Sequence, residues 1–172
     1  MSGISAAAED RIIDPEIRRF VEYWQEKRGT AKYPARADLD PLDFHYVMGD
    51  VVLVDVQRAP GGSTSPWHYR YRLMGSNIVE RDGYNLTNKT LEEMPEPEYR
   101  ERVRMTWDEV CGTGEPAHYV RQITLDQRLR SYEVVVLPLA GNHRDIDMLI
   151  SVQRDLQKAV ERRARFEAES SK

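Results

Sequence analysis

Trp67–His68–Tyr69–Arg70–Tyr71–Arg72–Leu73–Met74–Gly75–Ser76–Asn77 alternates two kinds of side chain and then stops at a glycine. Period-2 alternation sends successive side chains to opposite faces of a pleated strand. Gly75 supplies a permissive backbone for a sharp exit, and Ser76 or Asn77 can cap a following helix. On this reading Trp67, Tyr69, Tyr71 and Leu73 share one face, and His68, Arg70, Arg72 and Met74 share the other. The direction of the arginines decides what the strand is for. Aimed into a covered pocket they would read a ligand; aimed at water they would be ordinary.

Ahead of this strand, the β-branched run Val51 to Val56 reads as another, and Pro60 to Pro66 between them carries every turn signal. Behind it, short helices and turns fill Ser76 to Met94, punctuated by Gly83 and Asn85. Pro97 to Cys111 reads as a longer helix with Tyr99, Val103, Thr106, Trp107 and Val110 on its apolar stripe, stopped by Gly112 and Gly114. Three more strands follow, Ala117 to Leu125, Ser131 to Leu139 and Ile146 to Arg154, joined by turns at Asp126–Gln127–Arg128 and Gly141–Asn142–His143. Two strands, a helical block and three strands predict an α+β fold: a five-stranded antiparallel sheet with the helices packed on one face. Asp14–Pro15–Glu16 opens a flanking helix with Ile13, Ile17, Phe20, Val21 and Trp24 at helical spacing, ended by Gly29. A short helix is expected over Pro41 to Met48, with Asp40 as its cap, and another helix over Asp155 to Ala168. The chain thus divides into a flexible N-terminus (1–12), an N-terminal cap helix (13–30), a domain (31–155) and a C-terminal helix and tail (156–172).

The sequence has 172 residues, 40% hydrophobic and 31% charged, with a formal net charge of −4. That is a globular balance. A mildly acidic domain is a poor partner for nucleic acid or an anionic membrane. No stretch has the apolar length of a membrane span, and Met1 to Ser5 lacks the pattern of a secretion signal. The single cysteine, Cys111, fits a reducing compartment, and a cytoplasmic location is expected.

The element order and its punctuation resemble the PAS domain family, and more narrowly the small single-PAS proteins of alphaproteobacteria. The carrying residues are Trp24, Pro34–Ala35–Arg36–Ala37–Asp38–Leu39–Asp40–Pro41, Tyr71–Arg72–Leu73–Met74–Gly75, Gly83, Pro138 and Asp155. The resemblance covers about residues 17 to 155. It implies a PAS-like sheet, a small pocket between sheet and helices, and a non-enzymatic sensory or adaptor role. The chain departs from the chemically defined subclasses. Asn85–Leu86–Thr87–Asn88–Lys89 lacks the flavin-reactive cysteine, Pro97 to Cys111 contains no proximal histidine for haem, and Cys111 sits at the wrong end of that helix for a covalent chromophore. No cofactor is therefore expected beyond a non-covalent small molecule.

By analogy with the family, the residues before the strand exit point into the pocket. Arg70, Arg72 and Met74 would then be ligand-facing, with Trp67, Tyr69, Tyr71 and Leu73 under the N-terminal helix. A buried guanidinium must be paired, either by a ligand carboxylate or phosphate or by Glu80, Glu92, Glu93 or Asp147. Val103 and Trp107, with Met74, Tyr119 and Val134, either line an apolar cavity or pack as core. His45, His68, His118 and His143 show no metal spacing. The acidic pairs Glu92–Glu93 and Asp145/Asp147, and the arginines at 100, 102, 104, 162, 163 and 165, read as solvated.

The apolar stripe Ile13, Ile17, Phe20, Val21 and Trp24 predicts a homodimer through residues 13 to 28. With the chain ending at Lys172, no output domain of its own is expected, so the module would address a separate signalling protein, its own second copy, or nothing. The alternatives are a small ketosteroid-isomerase-like enzyme with an inward acidic base and a donor such as Tyr119, and a ligand-free interaction module. The isomerase-like fold places its long helices before most of its sheet, which the order here does not.

Overall fold

The computed structural model describes residues 9–125 and 127–171. Its elements are α1 (Pro15–Arg28), β1 (Val51–Arg58), β2 (Trp67–Met74), α2 (Ser76–Asp82), α3 (Pro97–Thr113), β3 (Ala117–Leu125), β4 (Arg128–Leu139), β5 (Met148–Asp155) and α4 (Leu156–Ser170), with 3-10 turns at Arg36–Asp38, His45–Asp50 and Leu91–Glu93. The strands form one five-stranded sheet in the order β2-β1-β5-β4-β3. All neighbours are antiparallel. Two strands precede the helical block and three follow it, as expected.

The sheet separates two apolar layers. On its outer face α1 lays Ile17, Phe20, Val21 and Trp24 against Leu53, Val135, Leu137, Leu139, Ile150 and Val152. On its inner face α2, α3 and the 3-10 turn at Leu91 cover Val52, Val54, Tyr69, Tyr71, Val134, Val136 and Leu149. Residues Tyr132 to Ala140 are all buried, because β4 lies between two neighbours and is covered on both faces. A strand sandwiched in this way reads as a continuous apolar run rather than an alternation.

The helix ends follow the sequence. Asp14 caps α1 by accepting from the Glu16 amide at 2.9 Å, and Pro15 fills the first turn. Asp155 caps α4, accepting from the Gln157 and Lys158 amides. The expected helix over Pro41 to Met48 is instead a turn followed by the His45–Asp50 3-10 segment. Most of the segment read as a flexible N-terminus, residues 1–8, lies outside the described residues, as does Asp126 of the β3–β4 turn. Ile12 is fully buried, so the packed chain begins ahead of α1.

Gly75 is needed for a reason other than backbone freedom. Its φ is −61°, an ordinary value, and it caps α2 with no help from a side chain. A Cβ at this position would stand 2.3 Å from the Gly49 carbonyl oxygen. The turn out of β2 closes because Gly75 lets the backbone of Met48 and Gly49 pass directly against it.

Candidate functional site

The exit of β2 corrects the expected strand faces. Leu53 pairs with Leu73 and Val54 with Tyr71, so Arg72 is an extra residue with no cross-strand partner, a β-bulge. One inserted residue inverts the phase of everything before it. Met74 faces the inner layer, as expected, and Leu73 faces α1. Upstream of the bulge Trp67, Tyr69 and Tyr71 face the inner layer instead of α1. Arg70 and Arg72 are accordingly exposed and are not pocket residues. Arg72 Nε pairs with Asp55 Oδ2 at 2.7 Å on the protein surface, and none of the four acids considered for it is its partner.

Met74, Val103, Trp107 and Val134 do meet, and all four are buried in the inner layer. They are packed as core there: the Trp107 ring lies 5.1 Å from Tyr69 and 5.6 Å from Tyr71 between centroids, both edge-on. Tyr69 Oη donates to Asp108 Oδ1 at 2.6 Å, and Ser65 Oγ donates to the same oxygen at 2.9 Å. Burial pushes the Tyr69 hydroxyl well above its ordinary range, with neighbouring Cys111 and Asp108 adding to the effect. Burial likewise pushes the Cys111 thiol up to about 12, so it is a protonated, unreactive group at neutral pH. Tyr119, the fifth expected residue, sits at the margin of this layer.

The arginines that enter the inner layer are Arg81 and Arg121. Arg121 shares a face of β3 with Tyr119 and Ile123, opposite Tyr132 on β4. It is 7% exposed. Its guanidinium donates to Tyr99 Oη at 3.0 Å and to Tyr119 Oη. The rings of Tyr99 and Tyr119 flank it with centroids at 5.1 and 5.2 Å. Arg81 reaches Tyr99 Oη from the other side at 3.2 Å, donates to Gln153 Oε1 at 3.1 Å, and stacks on Tyr132. Asp82 binds Arg81 through both carboxylate oxygens. Burial opposes the charge on Arg81, but the bonds from Asp82 more than offset it and hold the guanidinium protonated. Tyr71 and Tyr119 are pushed up by burial, although the positive charge of Arg121 works the other way. The alternation of β3 was the available signal for Arg121; the seven-residue α2 gave none for Arg81.

The outer face carries a second polar cluster. Glu133 on β4 is fully buried. It accepts from the backbone amides of Ile13 and Asp14, each at 2.7 Å, and meets His118 Nε2 at 2.8 Å. Asp14, also fully buried, binds Arg154 of β5 and Arg162 of α4. Arg154 further binds Glu16 and Asp50. These carboxylates are buried but fully partnered. Arg162, read from sequence as a solvated charge, is therefore a tether between the two flanking helices. The stripe expected to form a dimer is spent within the chain: Ile17, Phe20, Val21 and Trp24 are each 0% exposed against the chain's own sheet, and Ile13 is half-buried where its amide meets Glu133. That surface is not free to pair with a second copy.

Among the described residues, the surface clefts include three that bear on these clusters. The first, about 530 Å³, lies between α2 and α4 across the ends of β4 and β5 and includes Arg81 and Arg154. The second, about 410 Å³, lies beside Trp67 and Cys111. The third, about 680 Å³, lies between α3 and β3 and includes Tyr119 and Arg121. Among the described residues no group of three or more His, Cys, Asp or Glu side chains is arranged to hold a metal ion. Among them, too, no helix is long and apolar enough to cross a membrane.

The sequence profile of the PAS domain family matches residues 13–152. The chain belongs to the PAS domain family, whose members are typically sensory rather than enzymatic. No curated protein matches it. Among solved structures, the PAS domain of Bordetella pertussis BvgS is 17% identical, with 77% of this chain and 99% of that one covered at a TM-score of 0.50. A Rhodobacter sphaeroides LOV protein is 14% identical over 62% of this chain and 58% of its own, at 0.44. Vibrio cholerae VqmA is 13% identical over 68% of this chain and 51% of its own, at 0.49. This chain thus spans little more than half of the latter two, and the likeness concerns the fold alone.

Proposed function

We propose that this chain is a sensory or adaptor PAS module that acts without catalysis. It binds a small ligand, and its flanking helices report the bound state to a partner, either a separate signalling protein or a second copy. One pair of neighbouring residues supports this most directly. Gln153 and Arg154 are consecutive on β5 and point to opposite faces of the sheet. Gln153 accepts from Arg81 in the inner layer. Arg154 holds Asp14 and Glu16 at the start of α1. A ligand that shifts the inner layer therefore displaces the strand that anchors both terminal helices, and it favours whichever helix arrangement it binds more tightly. The two strands ahead of the helical block weigh against the isomerase-like alternative. A ligand-free interaction module remains the second reading, supported by the close packing of Trp107 with Tyr69 and Tyr71.

Native mass spectrometry of freshly purified protein tests the proposal. A co-purifying small mass is expected, together with slower hydrogen exchange in α1 or α4 when the ligand is retained than when it is stripped. Exchange in both helices that is indifferent to the ligand would overturn the signalling role.

A further inference from the structure

Arg121 is a buried cation with no anion among the described residues. It is 7% exposed, and among the described residues no carboxylate lies within ion-pair distance of it. Its partners Tyr99 and Tyr119 are neutral hydroxyls, and the carboxylate of Asp82 is bound by Arg81. Holding a guanidinium away from water without a counter-charge is costly, and a fold does not need it. Hydrophobic side chains of the same length would serve the packing better.

Arg121 is among the residues that line the 680 Å³ cleft between α3 and β3. That volume is in the range of small-molecule sites. Arg102, also without a carboxylate partner among the described residues, lines the same cleft from α3. Met105 and Val120 border it and leave apolar surface in water, at 65% and 47% exposure. Glu109 stands on the cleft wall and pairs with neither arginine. One buried guanidinium without a counter-charge, an exposed one beside it, an apolar flank and one acid define a narrow chemistry. They favour a single negative charge on an apolar body, and Glu109 disfavours a polyanion.

We propose that the α3–β3 cleft binds a small organic monocarboxylate, an alkyl or aryl acid. Its carboxylate meets Arg121 and Arg102, and its apolar body lies on Met105, Tyr119 and Val120. This rests on the reading of the chain as a ligand-binding module, and adds the place and the ligand class. The site lies at the edge strand β3, at the margin of the inner layer in which the Trp107 and Tyr71 rings pack with centroids 5.6 Å apart.

Calorimetric titration with octanoate, and with octanamide as its neutral counterpart, tests it. Octanoate should bind one to one, and octanamide roughly tenfold or more weaker, since only a charged ligand forms charge-assisted bonds. Arg121→Met should lose a similar factor while keeping or raising the thermal midpoint of the ligand-free protein. Arg102→Gln, an exposed change that leaves the fold alone, should weaken octanoate several-fold. Equal binding of octanoate and octanamide, no binding of octanoate or benzoate at millimolar concentration, or wild-type affinity in both variants would each overturn the assignment. A different co-purifying ligand in the mass spectrum, with octanoate ignored, would leave the sensory reading standing and remove only this one.

Discussion

Arg162 of α4 and Asp14 at the cap of α1 form an ion pair across 148 residues of sequence. The carboxylate is fully buried and also serves as the helix cap, so the two ends of the chain share one anchoring group. Arg162→Ala should free α4 from α1 while leaving the sheet intact. The expected cost is about 1–2 kcal/mol, the scale of a partly buried charge-assisted bond. Hydrogen exchange should rise in α4 and stay unchanged in β4 and β5. Unaltered protection of α4 would show that Ala159 alone keeps the helix in place.

Asp14→Ala removes more. It takes the cap from α1 and removes the fully buried carboxylate that Arg154 and Arg162 share, leaving them Glu16 and, for Arg154, Asp50. A lost cap and the weakened pairing of two partly buried charges together should cost about 3 kcal/mol. Chemical denaturation measures this, and Asp14→Asn, which restores the cap but not the charge, should recover only part of it.

The strand order and the flanking helices were legible because the signals there are local. Asp14–Pro15–Glu16 announces a helix start, and Ser131 to Leu139 reads as a strand bounded by turn signals. The site was not legible, and Arg72 is the reason. Period-2 reasoning carries a side chain's direction only as far as the first bulge, and nothing in Tyr71–Arg72–Leu73 marks one. The bulge exchanged the faces, so the arginines assigned inward point out and the tyrosines assigned to α1 point in. The same alternation on β3, which has no such break before Ile123, places Arg121 inward beside Tyr119. Arg162 was unreadable for another reason: a charge on an amphipathic helix looks solvated until its partner from the far end of the chain is known.

Arg72→Ala follows from that correction. The pair it forms with Asp55 is on the surface, with the arginine side chain 55% exposed, and should contribute no more than about 1 kcal/mol. The thermal midpoint should fall by about 4 °C at most, and octanoate affinity should match the wild type. A selective loss of ligand affinity in this variant would return β2 to the binding site.

Gly75→Ala tests the crossing of the two glycines. The backbone angles tolerate alanine, so the only penalty is the contact with the Gly49 carbonyl oxygen at 2.3 Å. Backbone cannot swing aside as a side chain does, and the loss should exceed about 3 kcal/mol. Gly83→Ala is the control, since a Cβ there meets nothing within 4 Å and the strain comes only from its φ of +79°. Denaturation of both variants should rank Gly75→Ala as the more damaging, and the reverse order would mean that the β2 exit relaxes freely.

Cys111 sets the alkaline edge of stability. Burial raises its thiol from the ordinary 9.0 to about 12, so the folded form holds the proton after the unfolded form has lost it. The contribution is complete below pH 9.0 and is lost progressively as the pH climbs toward about 12. The buried hydroxyls of Tyr69 and Tyr71, raised from 10.0, join the decline only at higher pH. Between pH 9 and 10 the slope should therefore come mainly from the thiol, at most about 1.4 kcal/mol per pH unit. Cys111→Ala should flatten that slope while lowering stability at pH 7 through the lost packing. Denaturant midpoints measured at half-unit steps read the slope directly, and labelling of the native thiol by a disulfide reagent at pH 8 should run far slower than in the unfolded chain. An equal slope in the two proteins would mean that some other group titrates there, and that the thiol is less enclosed than its contact with Tyr69 at 3.8 Å indicates.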